Sequence, residues 1–367
     1  MGELHLSAGV ALALISAAVL TRAAVFPFHM WLPPAHAAAP YPVSALLSGF
    51  VIKAPMLALW RIFDYLSFPG LLDGLIWLGA AGALWGVIAA MVQQDAKKLL
   101  GYHSVSQMGY IVAAFGFGGH LGRSAALFYI IAHALFKSLL FLTVGHVTNN
   151  AGSRNVYQLR GLFRFFPAHG LLYLVAAASI AGVPLFAGYT GKLLISDALG
   201  AHPAYYLLLA AGVGTAASFT KLSLIFFGKS KTEPSMLLAA SPDDASNSSL
   251  HFAAAHTGML IIAAGCVIMG IFPQSVHRFI LLLTEPTLSN LGEITSTTEL
   301  SHWHEGYHLG KAFLTLGSGV ILSLLLLSTY GRRCSHRIRE MRLGLNASLR
   351  LISLGFVAAV LFGLLTY

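Results

Sequence analysis

Tyr129, His133 and Lys137 follow one another at intervals of four in LFYIIAHALFKSLLF. That spacing sets them one turn apart on one face of a helix, as a polar stripe on an otherwise apolar element. A neutral imidazole both donates and accepts a hydrogen bond, and a lysine deprived of water releases its proton more readily than one in solution. Such a stripe can therefore hand a proton from group to group. The same residues could serve only as a hydrogen-bonded cluster that holds helices together, but an ammonium is a costly means to that end.

Lys137 is one of four cations inside apolar stretches, with Arg22, Lys53 and Lys192. A charge at the centre of a bilayer costs at least ~2.5–3.5 kcal/mol, so cations kept there point to charge or ion movement. Two of them follow or precede helix breakers: Pro27 arrives five residues after Arg22, and Pro184, Gly188 and Gly191 precede Lys192. Both helices are expected to break, freeing backbone groups toward a polar cavity of the kind in which transporters build ion sites. Lys53 follows Arg22 by 31 residues and Lys221 follows Lys192 by 29, which suggests an inverted repeat. Lys221 could instead snorkel to a membrane end. His29 and His36 flank the first break and could relay protons or cap loop carbonyls. Asp197, five residues past Lys192, is the nearest acid inside a helix and could tune that lysine.

The elements that must position these groups are membrane helices. With 57% hydrophobic and 10% charged residues among 367, the chain cannot present a soluble surface. Spans of roughly 20 apolar residues fall at 5–30, 41–62, 73–93, 104–120, 124–147, 168–199, 203–227, 252–283, 311–330 and 349–366. They are continuously apolar with Gly and Ala interspersed and lack strand alternation. The expected fold is an all-α polytopic membrane protein of about ten transmembrane helices, two of them broken. It divides into residues 1–62, the end of a first repeat; 63–230, a second repeat with a break near 184–192; and 231–367, C-terminal helices and a basic loop.

The net charge of +9 would suggest nucleic acid in a soluble domain, but here its distribution encodes topology. Lys97 and Lys98, Arg154 to Arg164, Lys229 and Lys231, and five arginines from Arg332 to Arg342 fall in alternate loops. Those loops are expected in the cytoplasm, with both termini outside and the chain in the cell (inner) membrane. No basic n-region marks a cleavable leader. Cys266 and Cys334 lie too far apart in depth to pair. His302, His304 and His308 with Glu299 and Glu305 have a metal-like composition without ligand spacing, and no metal is expected there. No phosphate-cradling loop, dinucleotide fingerprint, nucleophile elbow or haem ligand set occurs, so no cofactor is expected and any redox chemistry happens elsewhere.

The runs FPFHMWLPPAHAAAPYPVSALLSGFVIK, QQDAKKLLGYHSVSQMGY, HALFKSLLFLTVGHV and GVPLFAGYTGKLLI, spread over residues 5–230, resemble a known family. It comprises the proton-translocating antiporter-like subunits of respiratory complex I, Mrp-type sodium/proton antiporters and membrane-bound hydrogenase or formate hydrogenlyase complexes. The resemblance implies two inverted five-helix repeats, each with a broken helix, and a hydrophilic axis that carries protons. On it, Lys53 matches the lysine or histidine of the eighth family helix. His133 and Lys137 match the eleventh-helix relay, and Lys192 matches the twelfth-helix lysine taken as the exit-side carrier. Asp95 and Lys97 match the charged stretch that opens the tenth helix.

Two departures qualify this. Arg22 stands where the family has a lysine, and a guanidinium does not give up its proton, so Arg22 is a fixed charge. The resemblance also begins at the seventh family helix, without the glutamate that normally faces the Arg22 position. A companion chain of about six helices carrying an acid is therefore expected against Arg22. The function implied is proton transfer, or sodium/proton exchange, by a subunit of a larger energy-converting complex that holds no redox centre itself. A transport-inactive scaffold, or the energising subunit of an inorganic-carbon uptake system, are the alternatives.

Overall fold

The computed structural model of the chain describes residues 14–65, 69–229, 248–284 and 306–328. The described residues are mostly helical, joined by short loops, with an isolated bridge between Asp95 and Asn155. Helix α1 covers 14–22, and after a 3-10 turn at Phe28–Trp31 come α2 (Leu32–Ala38), α3 (Tyr41–Leu46) and α4 (Ala54–Tyr65). Then follow α5 (Pro69–Met91), α6 (Ala96–Phe117), α7 (Gly119–Asn150), α8 (Pro167–Ala181), α9 (Ala187–Leu199) and α10 (Ala204–Phe227). The last are α11 (Ser248–Ile271), α12 (Pro273–Thr284) and α13 (Gly306–Leu327).

Among the described residues, five stretches are long and apolar enough to cross a membrane: Tyr41–Ala58, Leu72–Met91, Gly119–Asn150, Ala204–Phe227 and Gly306–Leu327. A sixth span is available if Ala255–Ile271 and Pro273–Leu282, bent by 96° at Phe272, count as one. The chain is therefore a multi-pass membrane protein of all-α fold. The expected span at 349–366, the start of the first, and the basic loop with Cys334 lie outside the described residues, as do His302 and His304.

Helix α6 sits in the middle of the bundle, buried along nearly its whole length. It packs on α5 through small residues: Gly79, Gly86, Gly109 and Gly116 each face the backbone of the other helix where a Cβ would not fit. Lipid tails are as apolar as leucine, so such close backbone approach, rather than hydrophobic burial, joins helices in a bilayer. Asp95 caps α6 by accepting from the Lys98 amide at 3.0 Å. Helix α7 lies against α6, α8, α9 and α11, while α13 packs on α10 at the edge and buries only Gly319 and Ser323.

Both expected breaks are present. The first runs over 23–27, with Ala24 at φ 53°, and the second over 182–186, with Gly182 at φ 86° and Leu185 at φ 73°. Non-glycine residues in that region cost about 1–3 kcal/mol and persist only where packing fixes them. Gly188 and Gly191, expected to help break the second helix, instead lie inside α9. Their hydrogens face Ser179 O and the Tyr129 ring, so they are there for close packing. The expected continuous helix 41–62 also differs: a π-turn at Leu47–Val51 interrupts it just before Lys53.

Candidate functional site: a line of buried lysines and histidines

The core lysines share one solution to their burial. Each donates to backbone carbonyls. Lys53, 3% exposed, donates to Ser48 O inside the π-turn, where the ladder is already shifted: Ile52 N bonds Leu47 O and Lys53 N bonds Phe50 O. Lys137, fully buried, donates to Leu100 O of α6 at 2.5 Å. Lys192 donates to Ile180 O at 2.7 Å and Ala181 O at 3.5 Å, the last carbonyls of α8 before the break. Lys221 donates to Met91 O at 2.6 Å and Gln93 O at 2.9 Å, where α5 ends.

Helix C-termini carry partial negative charge and unpaired carbonyls, so they receive a cation without the strong, fixed pairing of a carboxylate. An ammonium held this way keeps hydrogen bonds in its charged form, yet no anion locks the charge in place. Lys221 is 3% exposed, its ammonium held by the carbonyls at the end of the Leu72–Met91 span.

Buried histidines lie within electrostatic reach of these lysines. His133 is fully buried on α7 and lies within electrostatic reach of Lys53 and Lys137. His103, fully buried on α6, is within reach of Lys137, Lys192 and Lys221. His36, fully buried and stacked on Phe141 with ring centroids 4.3 Å apart, is within reach of Lys137, Lys53 and Lys97. Neither ring nitrogen of His36, His103 or His133 meets a hydrogen-bond partner among the described residues. A buried polar atom left unpaired costs about 1–3 kcal/mol, so these six nitrogens are a concentration of hydrogen-bonding capacity that the described residues do not satisfy.

Hydroxyls and amides fill in the line. Tyr129 donates to Gln107, one turn beyond His103, and Ser48 Oγ meets Ser104 Oγ at 2.8 Å, tying the π-turn to α6. His103 was not among the expected site residues. The spacing of His103, Gln107 and Tyr110 at i, i+4 and i+7 on α6 is the signal that identifies it, a stripe facing the one on α7.

The remaining expected residues divide. His29 is buried and accepts from Trp85 Nε1 at 3.3 Å beside the first break. Asp197 is exposed on α9, in electrostatic contact with Tyr189, while Lys192 spends its hydrogen bonds on carbonyls. Arg22 is exposed at the end of α1 and makes no ion pair among the described residues. Asp95 and Lys97 build a clamp at the α6 N-terminus: Arg154 lies 3.5 Å from Asp95 and also donates to Ala37 O, and Lys97 donates to Ala39 O at 2.7 Å. Both cations thus cap the C-terminal end of α2.

Comparison with known proteins agrees with this architecture. Residues 2–219, more than half of the chain, match the family described as NADH:quinone oxidoreductase/Mrp antiporter, TM. A probable K(+)/H(+) antiporter component of Rhizobium meliloti (strain 1021) is 34% identical over 337 residues, covering 87% of this chain and 32% of that protein. The mnhA2 antiporter protein of Staphylococcus haemolyticus (strain JCSC1435) is 37% identical over 198 residues, covering 49% of this chain and 24% of its own length. The chain thus spans a third or less of these relatives.

Among solved structures, the Mrp complex from Dietzia sp. DQ12-45-1b matches with a TM-score of 0.64 at 25% identity, over 78% of this chain and 61% of that one. Respiratory complex I from Thermus thermophilus shares the fold with a TM-score of 0.64 at 24% identity, over 78% of this chain and 58% of that one. On these matches the chain belongs to the NADH:quinone oxidoreductase/Mrp antiporter transmembrane family.

Proposed function

We propose that the chain is an ion-translocating subunit of a larger energy-converting membrane complex, and that protons pass along Lys53, His133, Lys137, His103 and Lys192. The observation that carries this reading is the combination of carbonyl-held lysines with nearby imidazoles whose nitrogens have no hydrogen-bond partner among the described residues. Each lysine can be charged or neutral without breaking an ion pair. Because Coulomb interaction strengthens as the dielectric falls, protonation of one raises the cost of protonating the next. A proton entering at one end thus favours release at the other. Imidazoles and bound water complete each transfer, since both accept and donate.

The name of the Rhizobium meliloti relative supports exchange of protons for an alkali cation, potassium in that protein; sodium is the partner ion that the sequence resemblance implies. In this reading residues 1–62 close a first repeat, 63–230 form a second of inverted topology, and 231–367 add peripheral helices. The cation-rich loops face the cytoplasm and both termini lie outside, in the inner membrane. Arg22, exposed and unpaired among the described residues, supports a neighbouring subunit of about six helices that presents an acid to it.

Proton uptake by inverted membrane vesicles carrying the whole complex, followed with a pH-sensitive dye, tests the function. Lys192→Met and Lys137→Met are each expected to abolish uptake while the complex assembles at wild-type levels. Undiminished uptake in both variants would exclude the lysine route.

A further inference from the structure

A cavity of about 100 Å³, large enough for several water molecules, lies between α9, α10 and α13. Tyr110, Tyr189, Lys192, Tyr205, His308 and Lys311 supply its polar lining, with Ser196 and Thr315 beside them. Whereas Lys53, Lys137 and Lys221 are buried, Lys192 is only partly so, and it is one of the residues that line this cavity. Lys311 is held over two aromatic faces, its Nζ 4.2 Å from the Tyr307 ring centroid and 5.3 Å from that of Tyr205. Lys192 Nζ stands 5.6 Å from the Tyr110 ring centroid. Cation–π contacts of this kind hold an ammonium without neutralising it.

None of the described residues lining the cavity is acidic. Asp197, one position past Ser196, is exposed and not part of the lining. The Lys311 ammonium, joined by Lys192 whenever that group is protonated, therefore faces one small space without an acidic counter-charge in its described lining, an arrangement that favours a positive potential. Rings of lysine or arginine act this way in anion-conducting pores. An alkali cation is repelled there and a small anion is drawn in. A proton is under a weaker constraint, because it moves by exchange along water and tyrosine hydroxyls and need not enter as a hydrated ion.

We propose that this cavity is an electropositive vestibule through which Lys192 meets water, and that Lys311 makes it selective for protons and small anions over alkali cations. The functional consequence rests on the reading of Lys192 as a proton carrier: the cation exchanged for protons takes a different route. Lys311 acts by position and charge, without itself passing the proton on.

Charge-selective thiol labelling in membranes containing the intact complex tests the vestibule without reference to transport. With Cys266→Ser and Cys334→Ser as background, Ser196→Cys places a thiol on the lining, and Thr315→Cys serves as an independent second reporter. Each reacts with a negatively charged methanethiosulfonate (the ethylsulfonate) and a positively charged one (the ethyltrimethylammonium), rates being normalised to those with a small free thiol. The anionic reagent is expected to react roughly tenfold faster. Lys311→Gln should lower that ratio severalfold and Lys311→Arg should preserve it. Absence of reaction at both positions, faster reaction of the cationic reagent, or a ratio unmoved by Lys311→Gln would each overturn the proposal. If the ratio behaves as expected while Lys192→Met vesicles still take up protons, the vestibule stands and only the proton-carrier reading of Lys192 fails.

Discussion

At the scale of single residues, the controlling fact is what solvates a buried ammonium. Lys53, Lys137, Lys192 and Lys221 bind carbonyls, three of them at a helix end or a π-turn where the ladder leaves oxygens available. His103 is the group that lies within reach of three of these lysines at once, and it makes a ring contact with Phe219 at 4.8 Å between centroids. His103→Gln keeps a polar side chain of similar reach but cannot shuttle a proton, so proton flux in vesicles should fall by roughly 10²-fold while assembly persists. Flux within twofold of wild type would remove His103 from the route. Lys221→Met leaves the Met91 and Gln93 carbonyls unpaired next to α10, and thermal melting of the complex should register a loss of about 1–3 kcal/mol. The stripe of Tyr129, His133 and Lys137 is legible in the sequence because all three share one helix. His103 belongs to a second helix, and its relation to Lys192 and Lys221 exists only once α6 is packed against α9 and α10.

At the scale of elements, close backbone contact fixes where the lysines stand. Helix α9 approaches α7 so closely at Gly191 that a Cβ would enter the Tyr129 ring. Gly191→Ala should therefore cost about 1–3 kcal/mol in thermal stability, and it should also disturb the Tyr129 to Gln107 hydrogen bond. Gly310→Ala, on α13 with open space around it, is the matched control and should change melting little. The two helix breaks were legible from Pro27 and Pro184, which cannot continue a helix. The π-turn before Lys53 was not, because it inserts a residue into an apolar run without any proline. Its local signs, Gly49 against Ser138 and Ser48 against Ser104, are tertiary contacts. The 96° bend between α11 and α12 falls at Phe272, directly before Pro273, a breaker inside a stretch that reads as one span by hydropathy alone.

For the whole molecule, the family and the multi-pass fold follow from sequence, since apolar length and a few long motifs suffice to specify them. What lies against the surface is read only from exposed residues that make no ion pair among the described residues. Arg22 is such a residue: exposed, set in an apolar stretch, and without an ion pair among the described residues. Arg22→Glu should release the neighbouring membrane subunit on affinity purification, whereas Arg22→Lys, which retains the charge, should keep it. Equal recovery of the neighbour with both variants would place the contact elsewhere. The lysine line itself is tested most directly by Lys137→Arg in vesicles containing the assembled complex. Arginine retains a positive charge and can donate to Leu100 O, but it does not release its proton. Assembly at wild-type level with proton uptake abolished is the expected result; uptake near the wild-type rate would contradict a proton-carrying Lys137.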